Sequence, residues 1–314
     1  MTRLDDPTAD IVIAELNRRE VPVVRLDPGD FPASVQVNAL FGCTNSAGSV
    51  RTASRVLDLE RVRSVYWRRP SPYGSGHDAS EQVARWSVEQ SRYGLGGILG
   101  SLRGAHYVNH PWRNQDAEHK PAQLAVAARC GLAMPPTLMT NDVDRARRFA
   151  RDHGPVVYKP LRSTDFVGDD GRANTVWVEE VSPESIGSGV AHTLHTFQQR
   201  VDKAADVRLT IVGDELFAVR IDGSPFLDWR RDYDALSYRL VETPTVVEKG
   251  VRAFLEAFGL VFGTFDFGLD TDGRWWMYEC NPNGQWAWFP EPISTRIAYA
   301  IADQLQRSGE FHAC

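Results

Sequence analysis

The chain has 314 residues, 42% apolar and 24% charged, with a formal net charge of −6. That length exceeds one small core and implies two or three domains of ordinary globular composition. The negative balance argues against a nucleic-acid partner, and no apolar run approaches the roughly 18 residues of a membrane span. The opening M-T-R-L-D-D-P-T-A-D has no apolar signal-peptide core, so a cytoplasmic protein without a membrane partner is expected. Cys43, Cys130, Cys280 and Cys314 are scattered with no C-x-x-C pair, which predicts reduced thiols, not a disulfide frame or a zinc site.

Residues 10–19 carry Ile11, Ala14 and Leu16 at helical spacing, and 21–26 read as a β-branched strand. The alternation of Val35, Val37 and Ala39 predicts a strand over 31–39. Residues 64–67 form a short strand that runs into Arg68-Arg69-Pro70. Two arginines at a strand end suit either anion capture or a solvated basic turn. A long helix is predicted over 80–102 and a strand end at 107–109. This third holds neither G-x-G-x-x-G nor G-x-x-x-x-G-K-[ST], so a nucleotide must bind elsewhere.

A helix over 114–128 carries Lys120, with Pro121 marking a first turn or a kink and Gly131 a stop. A strand follows Pro135-Pro136-Thr137, a short helix covers 144–151, and the strand at 156–160 delivers Lys159 at its end. A strand-borne lysine is a rigid point charge for phosphates, or simply a surface lysine. R-S-T-D-F-V-G-D-D-G-R-A-N (162–174) is a polar, glycine-bearing loop of the kind that closes over phosphates, or a hairpin tip. Residues 176–178 read as a strand, 182–190 as a short helix or loop, and T-F-Q-Q-R-V (196–201) as a strand entering a linker. Next, 206–212 and 215–221 form a hairpin bearing Arg208, and D-W-R-R-D (228–232) is aromatic and basic together. An amphipathic helix over 244–258 stops at Gly259, and a closing helix covers 293–305.

Between these helices lies F-G-T-F-D-F-G-L-D-T-D-G-R-W-W-M-Y-E-C-N-P-N-G-Q-W-A-W (262–288). Asp272-Gly273 signals a two-residue type I′ hairpin turn. Symmetric pairing sets Thr271 opposite Arg274, Asp266 opposite Glu279 and Thr264 opposite Asn281. Asp266, Glu279 and Asn281 then share one face. Phe265, Phe267 and Leu269 face the core with Trp276, Tyr278 and Cys280. Opposed carboxylates repel, so this face either holds a cation or is merely solvated. Oxygen donors without His or Cys point to Mg²⁺, an ion that usually carries substrate phosphates as well. Asp266-Phe267-Gly268 matches a kinase D-F-G, but no H-R-D accompanies it.

The order Lys120, Lys159, glycine-bearing loop, F-Q-Q-R-V, D-V-R and Asp266…Glu279-x-Asn281 resembles the ATP-grasp fold of carboxylate–amine ligases, over roughly 110–305. The middle of the chain also looks like the branch related to ribosomal-protein glutamate ligases. V-Y-W-R-R-P, D-W-R and E-C-N-P-N-G-Q-W resemble microviridin-type peptide maturases, the graspetide synthetases, which extends the likeness to nearly the whole chain. The chain departs from the family at the adenine hinge, where Gln199 stands in place of an acid, and its phosphate loop is not strongly glycine-rich.

The resemblance implies an N-terminal pre-ATP-grasp α/β domain (1–112) and a two-subdomain ATP-grasp fold (113–200 and 201–314), mixing α/β and α+β. It implies a ligase that joins Asp or Glu side chains of a ribosomal precursor peptide (leader plus core) to Thr, Ser or Lys side chains. Lys120 and Lys159 would bind ATP phosphates, with Gln198, Gln199 and Val201 framing adenine. Asp266, Glu279 and Asn281 would hold Mg²⁺. Arg208 would steady the acyl phosphate, and Arg230 and Arg69 would grip the acceptor carboxylate. A homodimer is the family expectation. Two other readings stand beside this one: a ligase that adds amino acids to a protein tail or joins free amino acids, and an inactive peptide-binding module.

Overall fold

The structure is a computed structural model that describes residues 1–42, 46–75, 80–162, 166–167 and 171–307. Cys43, Cys314 and residues 163–165 and 168–170 of the polar loop lie outside the described residues. Cys130 and Cys280 are free thiols.

Helix α1 (Pro7–Arg18) begins at Asp6, whose Oδ1 accepts from the Thr8 and Ala9 amides at 3.2 and 3.4 Å. Residues 21–26 form no strand; the Leu26 carbonyl instead accepts from the Thr2 amide at 3.0 Å. Strands β1 (Gln36–Phe41), β2 (Ser46–Arg51) and β3 (Val56–Asp58) make an antiparallel sheet. The strand expected from residue 31 starts only at Gln36; residues 31–34 form a turn, in which Pro32 has no amide to give a ladder. Strand β4 (Ser64–Tyr66) runs parallel to β5 (His106–Val108), and α2 (Glu81–Leu99), capped by Ser80, crosses between them.

The helix expected over 114–128 is two: α3 (Pro111–Ala117) and α4 (Lys120–Arg129). Pro121 lies in the first turn of α4, where its missing amide goes unused. Gly131 ends the segment at φ 74°. Then come β6 (Thr137–Thr140), α5 (Val143–Asp152), β7 (Val156–Lys159), β8 (Phe166–Val167), β9 (Ala173–Asn174), β10 (Glu179–Val181) and β11 (His195–Gln199). Four of these form an antiparallel sheet in the order β10-β7-β11-β6. Residues 176–178, read as a strand, are not one; pairing starts at Glu179, opposite Tyr158.

The last sheet is built from β12 (Lys203–Val212), β13 (Glu215–Asp222), β14 (Ser237–Leu240), β15 (Phe262–Asp270) and β16 (Trp275–Asn281), in the antiparallel order β14-β13-β12-β15-β16. Helices α6 (Thr245–Phe258) and α7 (Glu291–Gln306) flank it. Val207, Leu209, Phe265 and Phe267 bury one face against Val251 and Phe254 of α6 and Ala127 of α4. On the other face the residues divide. Val212, Phe217 and Phe262 pack under α7 (Ile297, Ile301) and α1 (Val12, Leu16). Further along, Asp206, Arg208, Asp266 and Glu279 occupy that same face, so half of it is apolar and covered while half is polar. No described helix is long and apolar enough to cross a membrane.

Asn109 ties the first domain to this sheet. Its Nδ2 donates to the carbonyls of Phe262 (2.8 Å) and Pro282 (3.0 Å), and its Oδ1 accepts from the amides of Val261 (2.7 Å) and Phe262 (2.8 Å). Asn109 is 1% exposed, so truncation removes four hydrogen bonds to backbone groups, three of them buried. Asn109→Ala is expected to cost about 3 kcal/mol, read as a lowered urea midpoint at unchanged slope.

Candidate active site

The hairpin places the acids as its sequence implies but reaches that register by another route. The tip is one residue longer than a type I′ turn. Gly273 alone has positive φ (82°), and the Asp270 side chain accepts from the amides of Asp272 (3.0 Å) and Arg274 (2.8 Å). Pairing near the tip is therefore Leu269↔Trp275 and Phe267↔Met277, and a bulge at Tyr278 restores Asp266↔Glu279 and Thr264↔Asn281. The bulge exchanges the faces next to it. Trp275 and Met277 enter the core in place of Trp276 and Tyr278, and Tyr278 turns into the cleft. Gly268 makes room: a Cβ there would lie 2.2 Å from the Tyr278 Oη.

Asp266 is 6% exposed and held on both oxygens. Arg208 Nη1 donates to Oδ1 at 2.7 Å and Arg230 Nη2 to Oδ2 at 2.5 Å. Across the pair, Lys120 Nζ donates to Glu279 Oε2 at 2.5 Å, and Arg230 Nη2 lies 3.5 Å from Oε1. Asn281 Nδ2 reaches Asp266 at 3.5 Å and Glu279 at 3.4 Å. Burial opposes ionisation of Glu279, but Lys120, Arg230 and Lys159 outweigh it and hold its carboxyl well below the usual range. Arg230 is likewise held charged: burial works against it, and Asp266, Glu279 and Asp228 prevail.

Lys120 is aimed by its helix. One turn on, Gln123 Nε2 donates to the Cys280 carbonyl at 2.8 Å and its Oε1 accepts from the Cys280 amide at 2.9 Å, pinning α4 beside Glu279. Lys159, at the end of β7, donates to Gln198 Oε1 at 2.7 Å and stands 3.9 Å from the centre of the Tyr278 ring. Burial pushes its ammonium down to about 8; Glu279 pulls upward, while Lys120 and Lys203 add to the depression. Gln199 donates instead to the His153 carbonyl at 3.1 Å.

Lys120, Lys159, Gln198, Gln199, Val201, Arg230, Asp266 and Glu279 line one cleft between the four- and five-stranded sheets. Arg208 and Asn281 stand against the same carboxylates. The D-W-R segment is a single 3₁₀ turn, Trp229–Arg231, capped by Asp228. It stacks Arg230 over Trp229 at 5.0 Å, while Arg208 lies 5.8 Å from Trp229 and 5.9 Å from Trp288.

Arg69 does not line this cleft. It is exposed beyond β4, where desolvation and then the charges of Arg68, Arg3 and Arg208 lower its pKa. Its neighbour Arg68 is 1% exposed and donates to the Asn283 carbonyl and to Gln285 Oε1. Arg68 is thus turned inward onto neutral oxygens and Arg69 outward.

Sequence reasoning missed Gln123, Tyr278 and the Lys203–Asp206 pair (2.6 Å), all of which line the cleft. Asp206 was readable, since it lies two residues before Arg208 on the same strand face; burial raises its pKa against the pull of Lys203. Tyr278 was hidden by the bulge.

The donors suit a hard divalent cation. Among the described residues no three His, Cys, Asp or Glu side chains could hold a metal. Asn281 is the third side chain on this sheet face; its Nδ2 is turned to both carboxylates, and its carbonyl oxygen with theirs would make an all-oxygen set of the kind Mg²⁺ takes.

Residues 2–115 match the MvdD pre-ATP grasp domain. No curated protein sequence matches the chain. Among the similar solved structures, three match over nearly the whole length as follows. The Chryseobacterium gregarium RiPP-associated ATP-grasp ligase, in complex with ADP and a leader and core peptide, has TM-score 0.89 at 24% identity, covering 97% of this chain and 94% of that one. The macrocyclase MdnC of Microcystis aeruginosa MRC, bound with precursor peptide MdnA, has TM-score 0.85 at 27% identity, covering 97% of each. The macrocyclase MdnB from the same organism has TM-score 0.80 at 26% identity, again covering 97% of each. The architecture is that of a pre-ATP-grasp domain followed by an ATP-grasp fold.

Two outcomes follow. Phosphates prefer the charged form of Lys159, which is its protonated form. ATP affinity should therefore fall as pH rises through about 8, with proton uptake on binding there, and Lys159→Met should abolish both in calorimetric titrations. Gly268→Ala should drive Tyr278 from beneath Lys159 and weaken ATP by about tenfold, with the melting temperature as control.

Proposed function

We propose that the protein is an ADP-forming ATP-grasp ligase that activates Asp or Glu side chains of a ribosomal precursor peptide and closes them onto Thr, Ser or Lys side chains as macrocyclic esters or amides. The observation that carries this reading is the meeting of Lys120, Lys159, Arg208 and Arg230 around two opposed carboxylates on one cleft floor. The fold supports it, as do the peptides and ADP with which the similar ligases are described.

In this reading Gln198, Gln199 and Val201 frame adenine, and Lys120 and Lys159 take the phosphates. Asp266, Glu279 and Asn281 hold Mg²⁺, which when bound neutralises phosphate charge. The acceptor carboxylate attacks the γ-phosphorus, the bond to the bridging oxygen breaks, and ADP leaves. A hydroxyl or amine then attacks the acyl carbon, inorganic phosphate departs and the nucleophile loses its proton, so the peptide loses one water per ring. Splitting the condensation this way avoids expelling hydroxide.

Arg208 bears the charge on the acyl phosphate and its tetrahedral successor, and Arg230 grips the acceptor carboxylate. Asp266 and the indole faces fix both guanidiniums in advance, so little reorganisation is needed. We assign 1–112 to the pre-ATP-grasp domain and 113–200 and 201–314 to the ATP-grasp halves, with a cytoplasmic location, a homodimer, and no nucleic-acid or membrane partner.

The test is the intact mass of a co-expressed candidate precursor. Wild type should remove one water per ring, and Glu279→Ala none. A gain of one amino-acid residue would indicate a tail-adding ligase instead. Unchanged mass without ATP turnover across several precursors would indicate a binding module.

A further inference from the structure

The turn after β16 lies between the first domain and Arg208. Gln285 is half-buried in it, and its two oxygens face opposite ways. The side-chain Oε1 accepts from Arg68 Nη2 and from Thr8 Oγ1, the latter at 2.7 Å. The backbone carbonyl accepts from Arg208 Nε at 3.2 Å and Nη2 at 3.0 Å. Arg68 also donates to the Asn283 carbonyl, and its Nε lies 3.8 Å from Asp6 Oδ2. Thr8 and Asp6 belong to the start of α1, and Arg68 follows β4. Apart from Arg208, the side chains that donate to this turn in these contacts, Thr8 and Arg68, lie within the span that matches the pre-ATP-grasp domain.

The turn is also pressed from below. A Cβ on Gly284 would lie 2.4 Å from the Thr264 side chain and 3.2 Å from Arg208 Nη2. The turn therefore has no room to sink toward the sheet, and Arg68 and Thr8 set its lateral position. Arg208 has one guanidinium edge on the Gln285 carbonyl and Nη1 on Asp266. Moving the carbonyl would swing that edge about the Asp266 contact.

We propose that Arg68, acting through Gln285, is a positioning residue: the first domain uses it to set the angle at which Arg208 meets the reacting acyl group. This rests on the ligase reading and the role given there to Arg208. Arg68 does not line the cleft. It acts on the step that Arg208 serves and not on ATP binding, which lies on the Lys120–Lys159 side of the carboxylates.

The experiment is a double-mutant cycle on precursor turnover, followed by intact mass with saturating ATP. Arg68→Met is expected to lower kcat by about tenfold with the KM for ATP unchanged. In an Arg208→Lys background the same change should cost less than about twofold. Because Arg68→Met unpairs buried groups and can unfold the protein, Gln285→Leu is run in parallel, with Gln285→Glu as its rescue. Glutamate keeps the accepting oxygen and should recover most of the loss. Equal cost of Arg68→Met in both backgrounds would mean packing alone and overturn the proposal, as would failure of the rescue. If Arg208→Lys is as fast as wild type, the role of Arg208 falls and the relay with it. That result differs from the first, in which Arg208→Lys is slow but additive.

Discussion

Two carboxylates facing each other across neighbouring strands set the terms for the rest of the molecule. Asp266 and Glu279 are a directly opposed pair, close enough that like charges destabilise the sheet unless cations intervene. The fold brings cations from several directions. Lys120 comes from the helix over one edge, Arg208 from the adjacent strand, and Arg230 from a one-turn loop; Lys159 adds its charge from the other sheet. Removing a single cation would leave a carboxylate buried and underpaired, which costs far more than the pair contributes. The acids thus dictate where the lobes must meet, and that meeting line is the cleft.

The same sheet face shows how a catalytic surface and a core coexist on one set of strands. Phe262 and Val212 lie under α7, whereas Asp266, Arg208 and Asp206 lie a few residues along the same strands and face the cleft. Thr264, Thr210 and Gly284 mark the boundary. Gly284 presses on Thr264 so closely that a side chain there would displace the turn. This crowding lets a domain with no residue in the cleft influence its geometry: Asn109, Arg68 and Thr8 all hold the segment that ends β16.

Charge compensation also shapes the titration of the cleft. Lys159 is buried among cations as well as facing Glu279, so its ammonium sits near 8 although a carboxylate is close. Glu279 stays ionised despite burial for the complementary reason. A site poised this way has a cationic side ready for phosphates and an anionic floor ready for a metal. Binding then exchanges protein ion pairs for ligand ones and does not create charge in a dry pocket.

The local grammar of the chain was legible. Gly131 and Gly259 end helices, and Glu279 and Asn281 share a face by the two-residue period of a strand. These depend on contacts within a few residues, which sequence encodes directly. Motif order, from Lys120 through Arg208 to Glu279-x-Asn281, was enough to point to the ATP-grasp fold. What the chain alone did not decide were choices made by distant partners. The bulge at Tyr278 reverses two aromatic residues because the longer tip and Gly268 permit it. The break between α3 and α4 and the absence of a strand at 21–26 likewise depend on what packs beside them. Arg68 and Arg69 are identical in sequence character, yet one is sealed against Gln285 and the other is exposed. Only the turn at 282–285, more than two hundred residues away in the chain, tells them apart, because a buried guanidinium needs acceptors that only the folded structure brings to it.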